Sequence, residues 1–384
     1  MIGAFRLAWS QLSSNGWRLL AATAGVAFAA VLMLVQIGLQ EVLFVSVTKL
    51  FASLNGELIL ISPQYQCQLV PQDFPRQRVV QALAIPGVRD GQPIYLGQVQ
   101  MWNPINRRGR NVTTVGFHPQ PGLFNLPGVD DGITSLLESD SVLFDRKSLP
   151  EFGPIPELLA KTGSVSTQLG TRSVSITGLF TLGPSFACDG TVFTSDQNFL
   201  RVFPYRRLER PDLGLIMLQP GASPQAVKAQ LAAALPNDVR VLTRGEFIEL
   251  EKHYWSHSLP VGYVLGLNVV IGLVVGLVIV YQILYTDVLD HLAEYATLKA
   301  MGYRDWYLVE IVLNEALILS LLGYVPGYLV SLGVYAWTRR VTLLPLYMTW
   351  PRLTGVYALA AGMCVFAGVL AMRKLKKADP AEVF

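Results

Sequence analysis

Long apolar stretches alternate with polar ones and divide the chain into a membrane part and a water-facing part. Four apolar stretches carry no charged residue; they lie at residues 19–39, 258–286, 316–338 and 353–372. Each has at least the roughly 20 residues that a helix needs to cross about 30 Å of hydrocarbon. Core helices of soluble proteins rarely run this far without a charge, because one face meets water. The pattern therefore predicts four transmembrane helices.

A long hydrophilic insert, residues 40–259, separates the first two apolar stretches. Apolar and polar residues alternate at 95–101 and 111–117, as they do in strands. Ser223 and Pro224 form a helix-start signal before an amphipathic stretch. Strand–helix–strand patterns thus stand at both ends of the insert. We expect an α+β domain in two pieces, 55–118 and 205–243, interrupted by a β-rich subdomain at 119–204.

The stretches that flank the insert extend beyond the apolar residues. Residues 17–54 are predicted to form the first span and an outward stalk, and residues 244–286 a stalk helix that runs straight into the second span. Two such helices would carry rigid-body motion between the membrane and the insert. The other predicted segments are an amphipathic cytoplasmic helix at 1–16, a cytoplasmic loop at 287–310, spans at 311–338 and 353–372, and a tail at 373–384.

Composition and charge agree with a membrane protein. Hydrophobic residues make up 52% of the chain and charged residues 15%, with a net charge of +3, whereas soluble domains carry roughly 25% charge. This balance excludes a disordered chain and disfavours a nucleic-acid partner. Lys and Arg near span ends mark the cytoplasmic side, which places both termini in the cytoplasm and the insert outside. The counted residues are Arg6, Arg18, Lys299, Arg304, Arg373, Lys374, Lys376 and Lys377 on that side, against Arg339, Arg340 and Arg352 on the other.

The sequence contains no motif that would make the chain an enzyme. It has no G-x-x-x-x-G-K-[ST] for phosphate binding, no G-x-S-x-G and no C-x-x-C. His253 and His257, one turn after Glu249, have a spacing that could hold zinc. Two polar residues beside the interfacial ring of Tyr254 and its neighbour Trp255 are the better interpretation. We therefore expect no catalytic residue, metal or cofactor in this chain.

Cysteines and glycines suggest two further features. Cys67 and Cys188 lie in the insert, where they could form a disulfide or remain two free thiols, whereas Cys364 is expected to pack inside the fourth span. Glycines four residues apart lie on one helix face and allow another helix to approach closely. The second span carries two such pairs, which we assign to an interface between two copies of the chain: Gly262, Gly266, Gly272 and Gly276.

The cytoplasmic loop carries the most informative charge pattern. Asp287, Asp290 and Glu294 lie on successive turns, and Gly302 should break the helix before a short surface helix. We expect segment 294–310 to dock on a partner through its charged and aromatic residues, and expect Glu310 and Glu315, at the edge of a span, to be paired or to face water. The proposed contact residues are Glu294, Lys299, Gly302, Tyr303, Arg304, Asp305 and Trp306.

Two motifs stand out: residues 294–302 (EYATLKAMG), between the second and third predicted spans, and residues 377–382 (KADPAE), after the fourth. Together with the order of one span, a large outer domain and three further spans, they resemble the FtsX-like/MacB-type permeases of ABC exporters. In that family the first motif precedes the coupling helix and the second is a common ending. Residues 281–288 (YQILYTDV), 291–303 (HLAEYATLKAMGY) and 182–190 (LGPSFACDG) are similar to cyanobacterial DevC-type permeases. Cys188 departs from that pattern, because a small residue without a thiol is expected there.

The resemblance implies a fold, a mechanism and partners. The fold would be that of a type VII ABC exporter permease in the inner membrane, with a large periplasmic domain. A homodimer would bind two copies of an ABC ATPase subunit, which carries ATP-Mg, and would act by mechanotransmission. A periplasmic membrane-fusion protein would link it to a TolC-like outer-membrane duct. The DevC-type likeness implies export of a glycolipid or another amphiphile.

Three other classes of protein remain open at this point. An FtsX-type regulator of cell-wall hydrolases has the same four spans but usually a much smaller outer domain. A Lol-type lipoprotein-release permease is closer in size. A membrane-anchored enzyme is disfavoured because no nucleophile and base stand at motif spacing. Neighbouring reading frames for an ATPase and a fusion protein would separate these classes.

Overall fold

The computed structural model describes residues 2–14, 16–258, 260–303 and 305–375. It divides into two compact units. The first, which we call the helical unit, comprises Met1–Glu41, Pro260–Val341 and Leu346–Phe384. The second, the insert domain, comprises Val42–Leu259 and Thr342–Pro345. The chain begins with helices α1 (Ile2–Ser14) and α2 (Gly16–Ala52), and the apolar stretch 19–39 lies inside α2.

Nine strands form one sheet in the described part of the insert domain: β1 (Leu58–Ile61), β2 (Val88–Trp102), β3 (Gly109–Phe117), β4 (Ser141–Asp145), β5 (Val165–Leu169), β6 (Arg172–Phe180), β7 (Gly190–Ser195), β8 (Leu213–Leu218) and β9 (Arg240–Thr243). Their order in the sheet is β3-β7-β4-β6-β5-β2-β8-β1-β9. Four of them, β1, β4, β7 and β8, are short and buried along their whole length, as expected for strands covered on both faces.

Strand β2 is shared between two parts of this sheet. Its first half, Val88 to Ile94, pairs with β8, and its second half, Ile94 to Trp102, pairs with β3. Strand β3 also pairs with β7, and Met101 of β2 pairs with Leu169 of β5. Six strands therefore close into a ring, in the order β2-β3-β7-β4-β6-β5. The sequence predicted residues 119–204 as an inserted subdomain. In the structure their strands instead complete a ring with β2 and β3, because β2 is long enough to serve both parts.

Six helices accompany the sheet: α3 (Gln77–Ala82), α4 (Val129–Gly132), α5 (Ile155–Thr162), α6 (Asp196–Val202), α7 (Pro224–Ala234) and α8 (Arg244–His253). Helix α8 starts with a capping box, in which the side chains of Thr243 and Glu246 each accept a backbone N–H of the other residue. A single π-helical turn, Tyr254–Ser258, follows α8. The predicted straight run into the second span is therefore interrupted by a π turn, an irregularity common at functional sites.

The chain continues with helices α9 (Pro260–Asp290), α10 (Leu292–Ala300), α11 (Asp305–Thr342) and α12 (Trp350–Leu375). Within the described residues, four helices are long and apolar enough to cross a membrane: α2, α9, α11 and α12. The sheet of the insert domain lies in sequence between the first and second of them. The predicted fold class, an α-helical membrane protein of four transmembrane helices with a large α+β domain after the first, is confirmed.

Each unit has its own apolar core. In the helical unit, small residues such as Ala29, Ala316 and Ala367 are fully buried where the helices meet, as is common for membrane helices that pack closely. In the insert domain, one face of the sheet buries Phe117, Phe124 and Phe193. On another part of the sheet, α3 and α7 cover apolar residues of β1 and β8.

Candidate functional site

Helix α10 and the turn after it form the predicted coupling segment. Gly302 has a φ of +92°, a left-handed conformation that favours glycine. The backbone N–H of Tyr303 donates to the carbonyl of Leu298 at 3.1 Å, and that of Met301 to Thr297 at 3.0 Å. This pattern is a Schellman-type helix end, in which the glycine follows the last helical residues. Gly302 therefore terminates α10.

This arrangement corrects the predicted position of the short surface helix. The sequence placed that helix after Gly302, whereas the structure places it before Gly302, as α10. Asp290 ends α9, and His291 forms the bend into α10. After Gly302, α11 begins at Asp305 and continues without interruption into the third span. Gly302 separates α10 from the spanning helix α11, because its left-handed backbone ends α10 and lets α11 start anew.

The described contact residues expose their side chains. Trp306 is 72% exposed and Tyr303 46% exposed, and the Tyr303 and Tyr307 rings lie 4.8 Å apart. Glu294 is also exposed, near the start of α10. Arg304 and the side chains of Lys299 and Asp305 lie outside the described residues. The exposed set combines aromatic anchors with charge, which suits a protein interface. Its assignment to an ATPase contact stays a prediction.

The outer end of α2 packs against α8 inside the insert domain. The Phe51 and Phe247 rings meet edge to face with centroids 4.9 Å apart. The Arg244 guanidinium donates to the carbonyl of Leu54 at 2.8 Å, just beyond the end of α2. Phe247 and Arg244 both belong to α8. Helices α2 and α8, the two predicted stalk helices, are thus joined by an aromatic pair and a charge-assisted hydrogen bond.

A buried carboxyl group stands near the end of α8. Glu251 is fully buried and accepts a hydrogen bond from the Tyr65 hydroxyl at 2.7 Å. Burial raises the pKa of Glu251 to about 7, although the Tyr65 hydrogen bond acts in the opposite direction. Trp255, in the π turn, is buried beside it. This carboxyl therefore titrates near neutral pH at the place where α8 changes to a π turn.

A second buried network holds the loop 182–190 against the outer part of α2. The Asp145 carboxylate accepts the backbone N–H groups of Leu182 at 2.8 Å and Gly183 at 2.7 Å. The Lys49 ammonium of α2 donates to the carbonyl of Leu182. Burial raises the pKa of Asp145, opposed by these N–H donors. The loop 182–190 is thus fixed to α2.

Within the helical unit, an arginine joins three helices. Arg352 of α12 is buried and pairs with Glu41 of α2. It also donates to the Tyr335 hydroxyl of α11 and to the carbonyl of Tyr347, each at 3.0 Å. The Tyr335 hydroxyl in turn donates to the carbonyl of Leu34. In the sequence, Arg352 stands out only as a positive charge near a span end, and no local pattern links it to Glu41.

The glycine pairs of the second span occupy different surroundings. A Cβ on Gly276 would lie 2.6 Å from Ala29 of α2 and from Met363 of α12, and one on Gly272 would lie 3.2 Å from Leu32. A Cβ on Gly266 would meet no atom within 4 Å. The second pair thus serves packing within the chain. The assignment of the first pair, Gly262 and Gly266, to an interface between two copies stays a prediction. Within the chain, Gly262 is buried.

A glycine pair in the third span was missed. A Cβ on Gly327 would lie 2.8 Å from the carbonyl of Ala27 and 3.0 Å from Ala30. Gly323, four residues earlier, faces Val26 on the same helix α2. The G-x-x-x-G spacing at 323–327 was available as a signal, and it brings α11 close to α2.

The cysteines are free thiols. Cys67 is buried and Cys188 half-buried, and no disulfide joins them. The Cys188 sulfur lies 3.7 Å from the Ser185 hydroxyl and 3.9 Å from that of Thr191. The disulfide considered from the sequence is thus not formed in this structure. The two thiols have different neighbours, and one neighbour of Cys67 is Tyr254. Cys364 is buried in the helical core.

The histidines on the stalk stack on each other. The rings of His253 and His257 lie 4.4 Å apart, and the Ser256 hydroxyl is 2.5 Å from Nδ1 of His257. Among the described residues, no group of three or more His, Cys, Asp and Glu side chains is placed to hold a metal ion. The zinc spacing noted in the sequence is not accompanied by a third ligand in this part of the chain.

A cleft of about 350 Å³ lies where β2 ends and its hairpin turns back. It is lined by residues that include Trp102, Asn103, Arg107, Ser166 and Gln168. The hairpin beyond the cleft is basic and exposed. It carries Arg107, whose backbone has a φ of +53°, and Ile105, whose side chain is 64% exposed. No sequence motif pointed to this cleft, since its walls come from strands that are distant along the chain.

Comparison with known proteins gives one family match. Residues 267–380 match the FtsX-like permease C-terminal family. The matched stretch begins in α9 and includes α10, α11 and α12, and it covers less than a third of the chain. It therefore contains Gly302 and its surroundings. No curated protein matches.

Three solved structures are similar to part of the chain. The periplasmic region of MacB from Actinobacillus actinomycetemcomitans has 7% identity and a TM-score of 0.37, covering 51% of this chain and 92% of that one. The extracellular domain of the noncanonic ABC-type transporter YknZ from Gram-positive bacteria has 12% identity and a TM-score of 0.33, covering 49% and 98%. A domain of a permease protein from Porphyromonas gingivalis has 13% identity and a TM-score of 0.32, covering 49% and 89%. At these values the likenesses carry no functional conclusion.

Proposed function

We propose that this chain is the permease subunit of an ABC exporter and that ATP is hydrolysed on a separate partner chain. The match of residues 267–380 to the FtsX-like permease family carries the proposal. The four spanning helices and the large domain after the first of them agree with it. The chain lacks a phosphate-binding loop, so the proposal assigns ATP-Mg to the partner.

Helix α10 is the proposed contact with the ATPase. It is a nine-residue helix between two spanning helices, and Gly302 ends it by a left-handed turn. Glu294, Tyr303 and Trp306 are exposed around it. A short helix that ends in a defined turn can transmit a displacement to the following helix, because the turn does not bend. The adjoining element here is α11, which has 38 residues.

The stalk helices are the proposed route by which motion reaches the insert domain. Helix α2 has 37 residues, and within the insert domain its end is held by Phe247 and Arg244 of α8. The loop 182–190 is attached to the same helix through Lys49. A displacement of α2 would therefore move the loop and α8 together. This supports mechanotransmission as the mode of action.

The finer assignments of the resemblance belong to the same proposal. They are a homodimer with two ATPase subunits in the inner membrane, both termini in the cytoplasm, and a periplasmic insert domain that binds a membrane-fusion protein leading to a TolC-like duct. The excess of Lys and Arg on the proposed cytoplasmic side, eight against three, supports the orientation. The cleft lined by Trp102, Arg107 and Gln168 is the proposed adaptor surface. The similarity of residues 182–190 to DevC-type permeases supports a glycolipid or other amphiphile as substrate.

The test is reconstitution with an ABC ATPase from the same genome in lipid nanodiscs. The chain alone should hydrolyse no ATP, and the ATPase should co-purify with it at one subunit per permease. Glu294→Lys should weaken this complex, whereas Glu249→Lys, at an exposed position of α8, should leave it unchanged. ATP hydrolysis by the isolated chain, or failure of every such ATPase to bind, would overturn the proposal. Complex formation without export would favour an FtsX-type regulator, and a co-purifying lipoprotein would favour a Lol-type release permease.

A further inference from the structure

Two carboxyl groups meet inside the helical unit, where no function has been assigned to them. Asp287 lies on α9 and Glu315 on α11, and their side chains are within hydrogen-bonding reach of each other. Glu315 is fully buried. Its two oxygens and Oδ2 of Asp287 have no donor among the described residues. Glu315 is thus an unpartnered acid that points at a second acid.

The positive groups nearby are directed elsewhere. Arg18 of α2 pairs with Asp290, one turn after Asp287. Nδ1 of His291 lies 3.0 Å from the backbone oxygen of Asp287 and 3.8 Å from its Oδ1. Glu294 of α10 adds a further negative charge to the surroundings of Asp287. None of these groups reaches Glu315 with a hydrogen bond.

The remaining wall of the site is apolar. A Cβ on Gly368 of α12 would lie 3.6 Å from Ala316 and 3.7 Å from Leu284, so α12 packs closely against the turns that carry the two acids. Val288, Val312 and Ala367 are buried in the same core. Water and cations are therefore excluded on this side. Two negative charges at hydrogen-bonding distance in such a site repel each other strongly and lack solvation.

One shared proton removes this conflict. A neutral carboxyl donates its O–H to the neighbouring carboxylate, which satisfies one oxygen of each and leaves a single charge. Asp287 and His291 are 12% and 14% exposed, so they form the edge that is reached from water, whereas Glu315 is fully enclosed. Intramembrane acids of this kind commonly mark proton sites.

We propose that Asp287 and Glu315 form a proton-binding site that fastens α9 to α11 through one shared proton, with Glu315 as the protonated member. The site stands within the helices that flank α10. It does not depend on the assignment of a partner or substrate. Proton binding here uses only residues of this chain: Glu315 holds the proton, Asp287 accepts its hydrogen bond, and His291 lies at the exposed edge.

The test is infrared spectroscopy of the full chain in lipid nanodiscs, in H₂O and D₂O. A neutral carboxylic acid has a C=O stretching band that is separate from amide and carboxylate bands and shifts in D₂O. The spectra are recorded at about pH 8, where about nine tenths of Glu251, whose pKa is about 7, is ionised. Wild-type protein should show this band with the intensity of one carboxyl per chain.

Three variants decide the assignment. Glu315→Gln should abolish the band, and Asp287→Asn should keep it at a shifted frequency because an amide replaces the carboxylate acceptor. Asp290→Asn, on the same helix but paired with Arg18 in wild type, is the matched control and should leave the band unchanged. Absence of the band in wild type, or its persistence in Glu315→Gln, would overturn the proposal. If Glu315→Gln does not fold, an unshifted band in Asp287→Asn overturns it equally.

Discussion

Tyr65 donates its hydroxyl hydrogen to Oε1 of Glu251 at 2.7 Å, although 186 residues separate the two along the chain. Tyr65 follows β1, and Glu251 lies near the end of α8. The hydrogen bond therefore ties the start of the insert domain to the stalk helix that leaves it. It also places a carboxyl with a pKa near 7 beside the π turn.

The first prediction concerns stability and pH. Folding raises the pKa of Glu251 from 4.5 to about 7, so the folded state favours the protonated carboxyl. This stability is fully present below about pH 4.5 and is lost as the pH rises through 7, at a total of about 3 kcal/mol. Glu251→Gln should remove this part of the pH dependence in urea unfolding followed by tryptophan fluorescence.

Glu249→Gln is the matched control for this prediction. Glu249 is on the same helix but is exposed and paired with Lys252 at 2.7 Å. Its substitution should leave the slope of stability against pH unchanged. An unchanged slope in Glu251→Gln would show that the carboxyl does not titrate as described.

The second prediction concerns the arginine that joins α2, α11 and α12. Arg352→Ala should lower the free energy of unfolding by about 2 to 3 kcal/mol, because it leaves the Tyr347 carbonyl and the Tyr335 hydroxyl without their hydrogen-bond donor. The loss should be smaller than for a fully buried ion pair, because the Glu41 side chain is half-exposed. Thermal unfolding in detergent measures the loss. Arg340→Ala, at an exposed position of α11, should change the melting temperature little. Equal effects of the two substitutions would contradict the network.

The third prediction separates packing within the chain from packing between copies. Gly276→Leu should destabilise the helical unit by about 1 to 3 kcal/mol, because its side chain would collide with Ala29 and Met363. Gly266→Leu meets open space and should leave stability unchanged. If Gly262 and Gly266 form a dimer interface, Gly266→Leu should instead lower the dimer fraction in analytical ultracentrifugation. A dimer insensitive to Gly266→Leu would remove these glycines from the interface.

The strands of the insert domain differ in how well local sequence patterns predict them. The strand at 95–101 was predicted from alternation, and it lies within β2, where Gln98 and Gln100 are exposed and Met101 is buried. Ser141–Asp145 was missed because all five residues are buried and the pattern shows no alternation. Val165–Leu169 does alternate, but it stands between Gly-rich turns that favoured irregular structure.

The contacts between distant segments could not be predicted from local patterns. Glu41 and Arg352 are 311 residues apart, and only the packing of α2 against α12 brings them together. The sequence did show that Glu315 would be costly at the edge of a span unless it was paired. It gave no indication that the partner would be Asp287, because that pairing depends on the register between α9 and α11.

The fourth prediction concerns the thiols. Cys67 and Cys188 are both free, so denatured protein that has not been reduced should be labelled at both. In the native protein Cys188 should react faster, because Cys67 is fully buried and burial also raises the pKa of its thiol. Mass mapping of labelled peptides measures both rates. A peptide pair linked through Cys67 and Cys188 would contradict this prediction.

The fifth prediction concerns coupling through α10. Proline cannot adopt the φ of +92° found at Gly302, because its ring fixes φ near −65°. Gly302→Pro should therefore disrupt the turn between α10 and α11 while the spanning helices remain. Glu294→Lys reverses one exposed charge on α10 and leaves the turn intact. Arg304→Glu, at the position just before α11, should act as Glu294→Lys does.

Simultaneous measurement of ATP hydrolysis and export in proteoliposomes, with the permease, its ATPase and a labelled amphiphile, tests the central claim most directly. We predict that Gly302→Pro and Glu294→Lys insert normally but lose most export per ATP hydrolysed, at least about tenfold for a lost anchor contact. Glu249→Lys, on α8, should export as wild type does. Wild-type export and unchanged ATPase affinity in both α10 variants would show that coupling does not pass through this helix.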